Sequence, residues 1–559
     1  MRNCAAVQSR PSNIGQILQE ALSLHQQGRL REAEKLYMRA LKIAPDNFDA
    51  LHLLGLINAQ NGKMGEAYRL MSAALKINPN VPDVLINFSN VLHGLKRDAE
   101  ALASIDKALA LRPGDAEALL YRGNTLTALS RTDEALLCFD EVLARSPGQR
   151  DALLARGVAR ANIGRHEQAL ADFDEILTRM PTDTEALYNR GTALIELGHY
   201  AEALLAFENT LAASPQHLRA WNNRGRALQA LNRHEEAVIS FDKAIAIDKD
   251  YSDAHFNVAL SLLALEKLQR GFVEYEWRWR RTGMADPRRG YRGRLWLGEF
   301  PLDRRTILLP AEQGLGDTIQ FARYAPLLAQ MGASVVLEVQ PELKALLSTV
   351  SGVASCHSRG ERLPPFDVYC PLGSLPLALK TEPSSIPATI PYLRADDAHI
   401  AKWRPALEAL PGKRVALSWA GHARHANDRN RSIDLKLLEP LVASEGISFI
   451  SVQREQRDGD TTRLAEFGIA DFGPRLVDMA DTAAVLALVD LLISVDTSVI
   501  HLAAAMGQQA WVMLPFMADW RWTVANERSP WYPQVRLFRQ RTPGDWPNVI
   551  ASVRDALRA

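Results

Sequence analysis

Three short segments in the second half of the chain carry residue types that could do chemistry together. The first is Glu312-Gln313-Gly314-Leu315-Gly316-Asp317, which follows an apolar run and opens a helical pattern. Its glycines, Gly314 and Gly316, permit close backbone approach and place Asp317 near a helix N-terminus, pointing into a cleft, where such an aspartate is a helix cap or a base. The second is Asp496-Thr497-Ser498-Val499-Ile500-His501, which runs from a strand end straight into a helix. Free N–H groups and small hydroxyls at such a start suit an anion, a diphosphate in particular. The third, Gly421-His422 through Asn427-Asp428-Arg429-Asn430-Arg431-Ser432, is a polar loop whose cations, Arg431 above all, neutralise a departing phosphate. Gln453, just past another strand, is placed to touch a base or ribose. The chemistry these residue types suit is the holding of a diphosphate, its negative charge met by helix N–H groups and by cations. Asp458-Gly459-Asp460 also pairs two carboxylates, but inside a charged run, and His422 and His425 sit three apart in a loop. Neither is expected to hold a metal.

The elements that must position these residues are alternating strands and helices. Thr306-Ile307-Leu308-Leu309-Pro310, Ser334 to Val339 and Phe366 to Cys370 read as buried strands, with one helix expected from Thr318 to Met331. A second series opens after Pro411-Gly412 with Val415 to Trp419, Ile447 to Val452, Leu491 to Val495 and Ala510 to Leu514. Alternation twice over predicts two doubly wound parallel sheets facing a cleft, residues 304–395 and 396–559. Ligands of such sheets bind beyond the carboxyl ends of the strands, where all three segments fall.

The first half follows a different rule. A 34-residue period counted from Ile14 puts Ala33, Ala67, Ala101, Ala135, Ala169, Ala203 and Ala237 at position 20, and Pro45, Pro79, Pro113, Pro147, Pro181 and Pro215 at position 32. Position 8 is Gly55, Gly123, Gly157, Gly191 and Gly225; position 24 is Tyr37, Phe139, Phe173, Phe207 and Phe241. Small residues at 8 and 20 let two antiparallel helices approach, the aromatic is expected to fill the gap to the next unit, and the proline stops the second helix. This pattern resembles the tetratricopeptide repeat over 14–285, in about eight units, after a tail of residues 1–13. Asn87, Asn189, Asn223 and Asn257 at position 6 would present amides to an extended peptide, similar to the asparagine ladder of eukaryotic O-linked N-acetylglucosamine transferases. Arg122, Arg156, Arg190 and Arg224 at position 7 form a second row that could pair with acidic segments.

Between the halves, Tyr275-Glu276-Trp277-Arg278-Trp279-Arg280-Arg281 and the rest of the stretch to Gly298 are rich in arginine and aromatics. They suit a junction (286–303 once the last repeat ends) in which guanidinium groups cover aromatic faces. Stacking on bases is the other use of such residues, but 65 basic against 65 acidic residues give no field favouring nucleic acid. With 559 residues, 47% hydrophobic and 23% charged, the chain is expected to fold as more than one domain. No apolar core of signal-peptide length follows Met1 and no stretch reaches membrane-span length, so a cytoplasmic location is expected. Cys4, Cys138, Cys356 and Cys370 match no zinc or disulfide spacing and read as reduced and buried.

Together the three segments resemble glycosyltransferase family 9, the heptosyltransferase-like enzymes with two Rossmann halves in the GT-B arrangement. The resemblance covers about residues 300 to 545 and implies Asp317 as catalytic base, with Gly314, Gly316, Arg431, Gln453, Asp496, Thr497, Ser498, Val499 and His501 around a nucleotide sugar. It implies a metal-independent, inverting transfer with no cofactor, to a protein or peptide held by the solenoid. The departure is a short acceptor-side half, about 90 residues ending near Leu393. The alternatives are transfer in lipopolysaccharide or polysaccharide assembly, and a non-catalytic interaction scaffold with a vestigial nucleotide domain.

Overall fold

The computed structural model of the protein describes residues 12–281, 290–424, 427–524 and 526–559. Its contacts divide into two units, one running to His217 and the other from Leu218 to Ala559.

The first unit is a tetratricopeptide solenoid of antiparallel helix pairs, from Ser12–Gln26 with Leu30–Ile43 through Thr184–Leu197 with Tyr200–Ala213. The turn inside each pair passes through a left-handed residue. Glycine fills that place at Gly28, Gly62, Gly164 and Gly198, whereas Lys96 and Ser130 adopt φ of 62° and 60° despite their side chains. Each second helix ends two residues before its position-32 proline, as at Arg145 before Pro147, because proline cannot continue the hydrogen-bond ladder.

The aromatic at position 24 lies on the position-8 glycine of its own repeat and also shares a buried cluster with the next one, Phe139 with Ala159 and Phe173 with Ala193. A Cβ on Gly157 would stand 2.5 Å from Phe173 Cε1, and one on Gly191 2.7 Å from Phe207 Cε1. The ring is flat and fully buried, so the two helices of one repeat meet across it with no room for a methyl. We therefore expect Gly157→Ala to destabilise the first unit by about 1–2 kcal/mol, overpacking outweighing a helix-propensity gain of about 1 kcal/mol. Gly15, helical with nothing within 4 Å of its would-be Cβ, should show the opposite sign on replacement by Ala. Chemical denaturation of the two variants measures both.

The second unit begins with repeat helices Leu218–Ala230, His234–Ile247, Ser252–Ala264 and Leu268–Tyr275, then turns to strands. β1 (Arg294–Leu295), β2 (Thr306–Pro310), β3 (Ser334–Val339), β4 (Val353–Ser358) and β5 (Val368–Tyr369) form a parallel sheet in the order β1-β5-β2-β3-β4. β6 (Lys413–Ser418), β7 (Ile447–Ser451), β8 (Ala470–Asp471), β9 (Leu491–Val495), β10 (Ala510–Leu514) and β11 (Arg536–Arg539) form a second, in the order β11-β10-β9-β6-β7-β8. This is an α/β arrangement, each sheet entirely parallel. The helix expected from Thr318 to Met331 is two, Leu315–Ala322 and Ala325–Gln330, since Pro326 lacks the N–H that a continuous helix would need there.

The change from repeats to strands is not a break in the core. Leu263, Leu268, Phe272 and Tyr275 share one buried cluster with Ile307, Leu309, Phe321 and Trp531. The Phe272 ring meets Trp520 and Trp531 edge-on, with centroids 5.9 and 6.3 Å away. Cys138 and Cys370 are free and buried, and Cys356 is free and half-buried; Cys4 lies outside the described residues. Among the described residues no helix is long and apolar enough to cross a membrane.

Candidate functional site

β6, β7 and β9 run directly into residues that line the cleft, Ser418, Val452 and Asp496, and the loops after β2 and β10 add Gly314 and Asp519. A cavity of about 700 Å³ opens beyond the carboxyl ends of β2, β6, β7, β9 and β10. It gathers Gly314, Gly316, Asp317, Arg431, Gln453, Asp496, Thr497, Ser498, Val499 and His501, all of the residues expected there from sequence. Glu342, His422, Thr482, Asp519 and Arg521 are also in the wall. This is the place a pair of parallel sheets offers a ligand, because the strand ends and the helix starts that follow them both point there.

Asp317 sits in the first turn of the helix Leu315–Ala322. Its Oδ2 accepts the Gly314 N–H at 2.9 Å, a local bond that holds the glycine turn closed. Its Oδ1 accepts from Arg521 Nη2, so the carboxylate is ion-paired as well as capped. Arg521 is buried against the Trp520 face and also pairs with Asp519 at 2.8 Å. Burial disfavours this cation, but Asp519 and Asp317 outweigh it and raise its pKa. The arrangement fixes the Asp317 carboxylate at the cavity wall between two donors, one from its own turn and one from Arg521.

The glycines divide their work. A Cβ on Gly316 would stand 2.7 Å from His501 Cδ2, so Gly316 is small because the helices Leu315–Ala322 and Ser498–Ala505 pack directly on each other. His501 is buried, stacked on Trp522 and within 3.2 Å of the Tyr532 hydroxyl. Its Nε2 lies 3.7 Å from Asp496 Oδ1. Burial alone would raise the Asp496 carboxyl; His501, Trp522 and Arg431 outweigh it and hold it below its ordinary range. His501 thus supports the cavity floor by bracing Asp496.

Arg431 donates from Nη1 to the Asp496 carbonyl at 3.0 Å, while its buried Nε has no hydrogen-bond partner among the described residues. A Cβ on Gly421 would stand 2.7 Å from that Nε, so the loop needs glycine to let the guanidinium lie flat. Thr497 is the N-cap of Ser498–Ala505 and makes no side-chain cap bond, leaving the first-turn N–H groups without a side-chain acceptor from that residue. The Arg431 guanidinium and an uncapped helix start line one cavity, a setting for a phosphate.

Gln453 reaches the cavity with its amide already engaged. Its Oε1 accepts from Ser418 Oγ at 3.0 Å and the Ala420 N–H at 3.2 Å, and its Nε2 donates to the Glu455 carbonyl. It ties the ends of β6 and β7 together. Asp460 is likewise committed, accepting from Trp419 Nε1 and the Arg457 N–H at 3.1 and 3.0 Å. His422 lies 3.5 Å from Glu455, and His425 lies outside the described residues.

The arginine and aromatic stretch is engaged internally. Arg278 is 1% exposed, lies over the Tyr275 and Trp279 rings, and bonds to Glu276 at 2.5 Å, Glu312 at 3.2 Å and Ser374 at 2.7 Å. Arg280 covers Trp277 and Arg281 covers Phe256. Residues 282–289 of the stretch lie outside the described residues. A signal missed in the sequence is now visible. Glu276-Trp277-Arg278-Trp279 is echoed by Asp519-Trp520-Arg521-Trp522. Both tetrapeptides fall on short 3-10 turns, and their arginines grip opposite ends of one loop, Arg278 at Glu312 and Arg521 at Asp317.

In the repeats, the arginine row is not open to acidic partners. Arg122, Arg156 and Arg190 pair with Asp106, Asp140 and Asp174 of the preceding repeat at 2.6–2.7 Å. The asparagines are partly engaged too. Asn87 Nδ2 is 3.0 Å from His52 Nε2, and Asn189 donates back to the Glu185 carbonyl in its own helix. In the second unit Asn223 is buried beside Asn222, which accepts from Asn257 at 3.0 Å. Each of the four amides therefore carries at least one intramolecular contact.

The tetratricopeptide repeat model matches residues 18–82, 97–149, 123–184 and 188–252. Such repeats are a scaffold for protein interaction. Protein FlbA of Caulobacter vibrioides (strain ATCC 19089 / CIP 103742 / CB 15) is 28% identical over 316 residues, 52% of this chain and 52% of its own length. The chain therefore spans about half the length of that curated relative. Among solved structures, a tetratricopeptide repeat protein from Parabacteroides merdae ATCC 43184 matches with a TM-score of 0.38 at 22% identity, over 44% of this chain and 98% of that one. YrrB, described as a repeat protein with an unusual peptide-binding site, matches with a TM-score of 0.28 at 28% identity, over 33% and 95%. A thermophilic repeat protein of Thermus thermophilus gives 0.29 at 23%, over 33% and 99%.

Proposed function

We propose that the protein is a cytoplasmic glycosyltransferase that moves a sugar from a nucleoside diphosphate to a protein or peptide recruited by the repeats, its two sheets being the Rossmann halves of a GT-B-like, family 9-like enzyme. The observation that carries this reading is the convergence of Asp317, Arg431 and the uncapped start of Ser498–Ala505 on one cavity at the strand ends of both sheets. In the reaction the acceptor hydroxyl gives its proton to Asp317 as its oxygen bonds the anomeric carbon. The bond from that carbon to the diphosphate breaks, and the charge that develops is met by Arg431 and by the N–H groups of residues 498–500. No metal is needed where fixed cations and dipoles do this work. The transfer inverts the anomeric centre, since the base and the diphosphate site lie on opposing sheets.

One observation favours a second reading. The Asp317 carboxylate already serves Gly314 and Arg521, as a purely structural brace would. On that reading the cavity binds a nucleotide without turnover and the chain is an interaction scaffold. Measuring nucleoside diphosphate released from a panel of nucleotide sugars separates the two. Turnover with one donor, increased by a protein acceptor, is the expected result; tight nucleotide binding with no release from any donor would establish the scaffold.

A further inference from the structure

A second, smaller cavity of about 200 Å³ lies between the repeat helices of the second unit and the last strands of the second sheet. Asn232, His234 and Ala264 supply one wall; Phe516, Thr523, Arg539 and Gln540 supply most of the other. Among the described residues no carboxylate lines it, and it holds one guanidinium.

The polar groups there are donors in search of an acceptor. Arg539 is half-buried, and its Nη2 donates to the Trp522 and Asn526 carbonyls; among the described residues no carboxylate lies within ion-pair distance. Burial without a counter-charge pushes this guanidinium down to about 10. Gln540 is 6% exposed, and its Oε1 is fixed by the Phe516 and Gly544 N–H groups, both at 3.1 Å. That orientation leaves Nε2 as the end with no partner. Thr523 is 5% exposed, its Oγ1 has no partner among the described residues, and it is held at φ 57°, a region a β-branched residue rarely enters. His234 adds no opposing charge, since burial lowers its pKa and keeps it neutral near pH 7.

We propose that this cavity is a binding site for a small oxyanion of phosphate size, taken up by the Arg539 guanidinium, Thr523 Oγ1 and Gln540 Nε2. One tetrahedral anion would supply the missing counter-charge and accept from both orphaned donors. Because Asn232 already bonds the Phe516 carbonyl at 2.5 Å across this seam, the anion would fasten the last repeats to the second sheet.

The test is calorimetric titration of inorganic phosphate into the full-length protein in chloride buffer. Saturable binding is expected in the wild type and in Ser498→Glu, at least tenfold weaker in Arg539→Gln and at least threefold weaker in Thr523→Val. Thr523→Val keeps the branching and shape of the native residue, so it decides the matter if Arg539→Gln does not fold. Absence of saturable binding in the wild type would mean a solvent-filled cavity and overturn the proposal. So would binding that Ser498→Glu abolishes, or binding unchanged in Thr523→Val and any folded Arg539→Gln.

Discussion

Asp317→Asn should lower the turnover number by at least about 100-fold while leaving nucleotide affinity nearly unchanged, because general-base catalysis contributes about 100-fold to 10,000-fold and the amide cannot take the proton. The substitution keeps an oxygen for the Gly314 N–H, so the turn at the head of Leu315–Ala322 survives. Arg521 keeps Asp519, so no buried cation is left unpaired, but the new amide NH2 faces its Nη2 in place of an acceptor, and stability should fall by about 1 kcal/mol. Release of nucleoside diphosphate gives the rate, and thermal melting gives the stability. A stability loss above about 2 kcal/mol with turnover intact would reduce Asp317 to a brace.

Arg278→Met should be the most destabilising single change in the second unit, by about 3–5 kcal/mol, because it strands two carboxylates of one buried cluster. Glu276 and Glu312 both lean on this guanidinium, and Glu312 also accepts the Gly373 N–H, at 3.0 Å. Burial already raises the Glu312 carboxyl, with Arg278 opposing it. Without Arg278 its folded pKa rises further above the unfolded value. An acid raised in this way binds more protons folded than unfolded, so the variant should recover stability as pH falls from 7 toward 5. Adding Glu312→Gln should restore part of the loss at neutral pH. Denaturant midpoints of the single and double variants at the two pH values check both signs; a loss below about 1 kcal/mol would mean that the cluster does not hold the loop.

The sequence exposes what is local or periodic. β2, β9 and β10 are near-continuous apolar runs, and β3, β6 and β7 keep an apolar centre, because strands of a parallel sheet are buried on both faces. β1 and β8 are two residues long, too short to carry a pattern, whereas the equally short β5 lies inside the run Phe366 to Cys370 that reads as a strand. The cavity walls could be found because a ligand site at strand ends follows the strands. What stayed hidden depends on partners distant in the chain. Arg521 meets Asp317 across 204 positions, and Gly316 is small because of His501, not because of a ligand alone. The arginine row at position 7 shows the same limit, since its aspartates lie one repeat earlier on the neighbouring helix. Only the repeated acidic-Trp-Arg-Trp tetrapeptide offered a clue to Arg278 and Arg521 as a pair.

The claim that the large cavity holds a nucleoside diphosphate is tested most directly by thermal melting of wild type and Ser498→Glu with and without nucleoside diphosphates. A ligand at 100 times its dissociation constant adds about 2.7 kcal/mol of stability, a readily measured rise in Tm. Ser498 opens the helix Ser498–Ala505, so a glutamate there places negative charge where the diphosphate belongs. The same charge favours the helix N-terminus, so the unliganded variant should melt no lower than wild type. The expected result is a Tm rise with one nucleoside diphosphate in wild type and an affinity more than tenfold weaker in Ser498→Glu. A wild type that no nucleoside diphosphate stabilises, or a Ser498→Glu protein stabilised equally, would contradict the account.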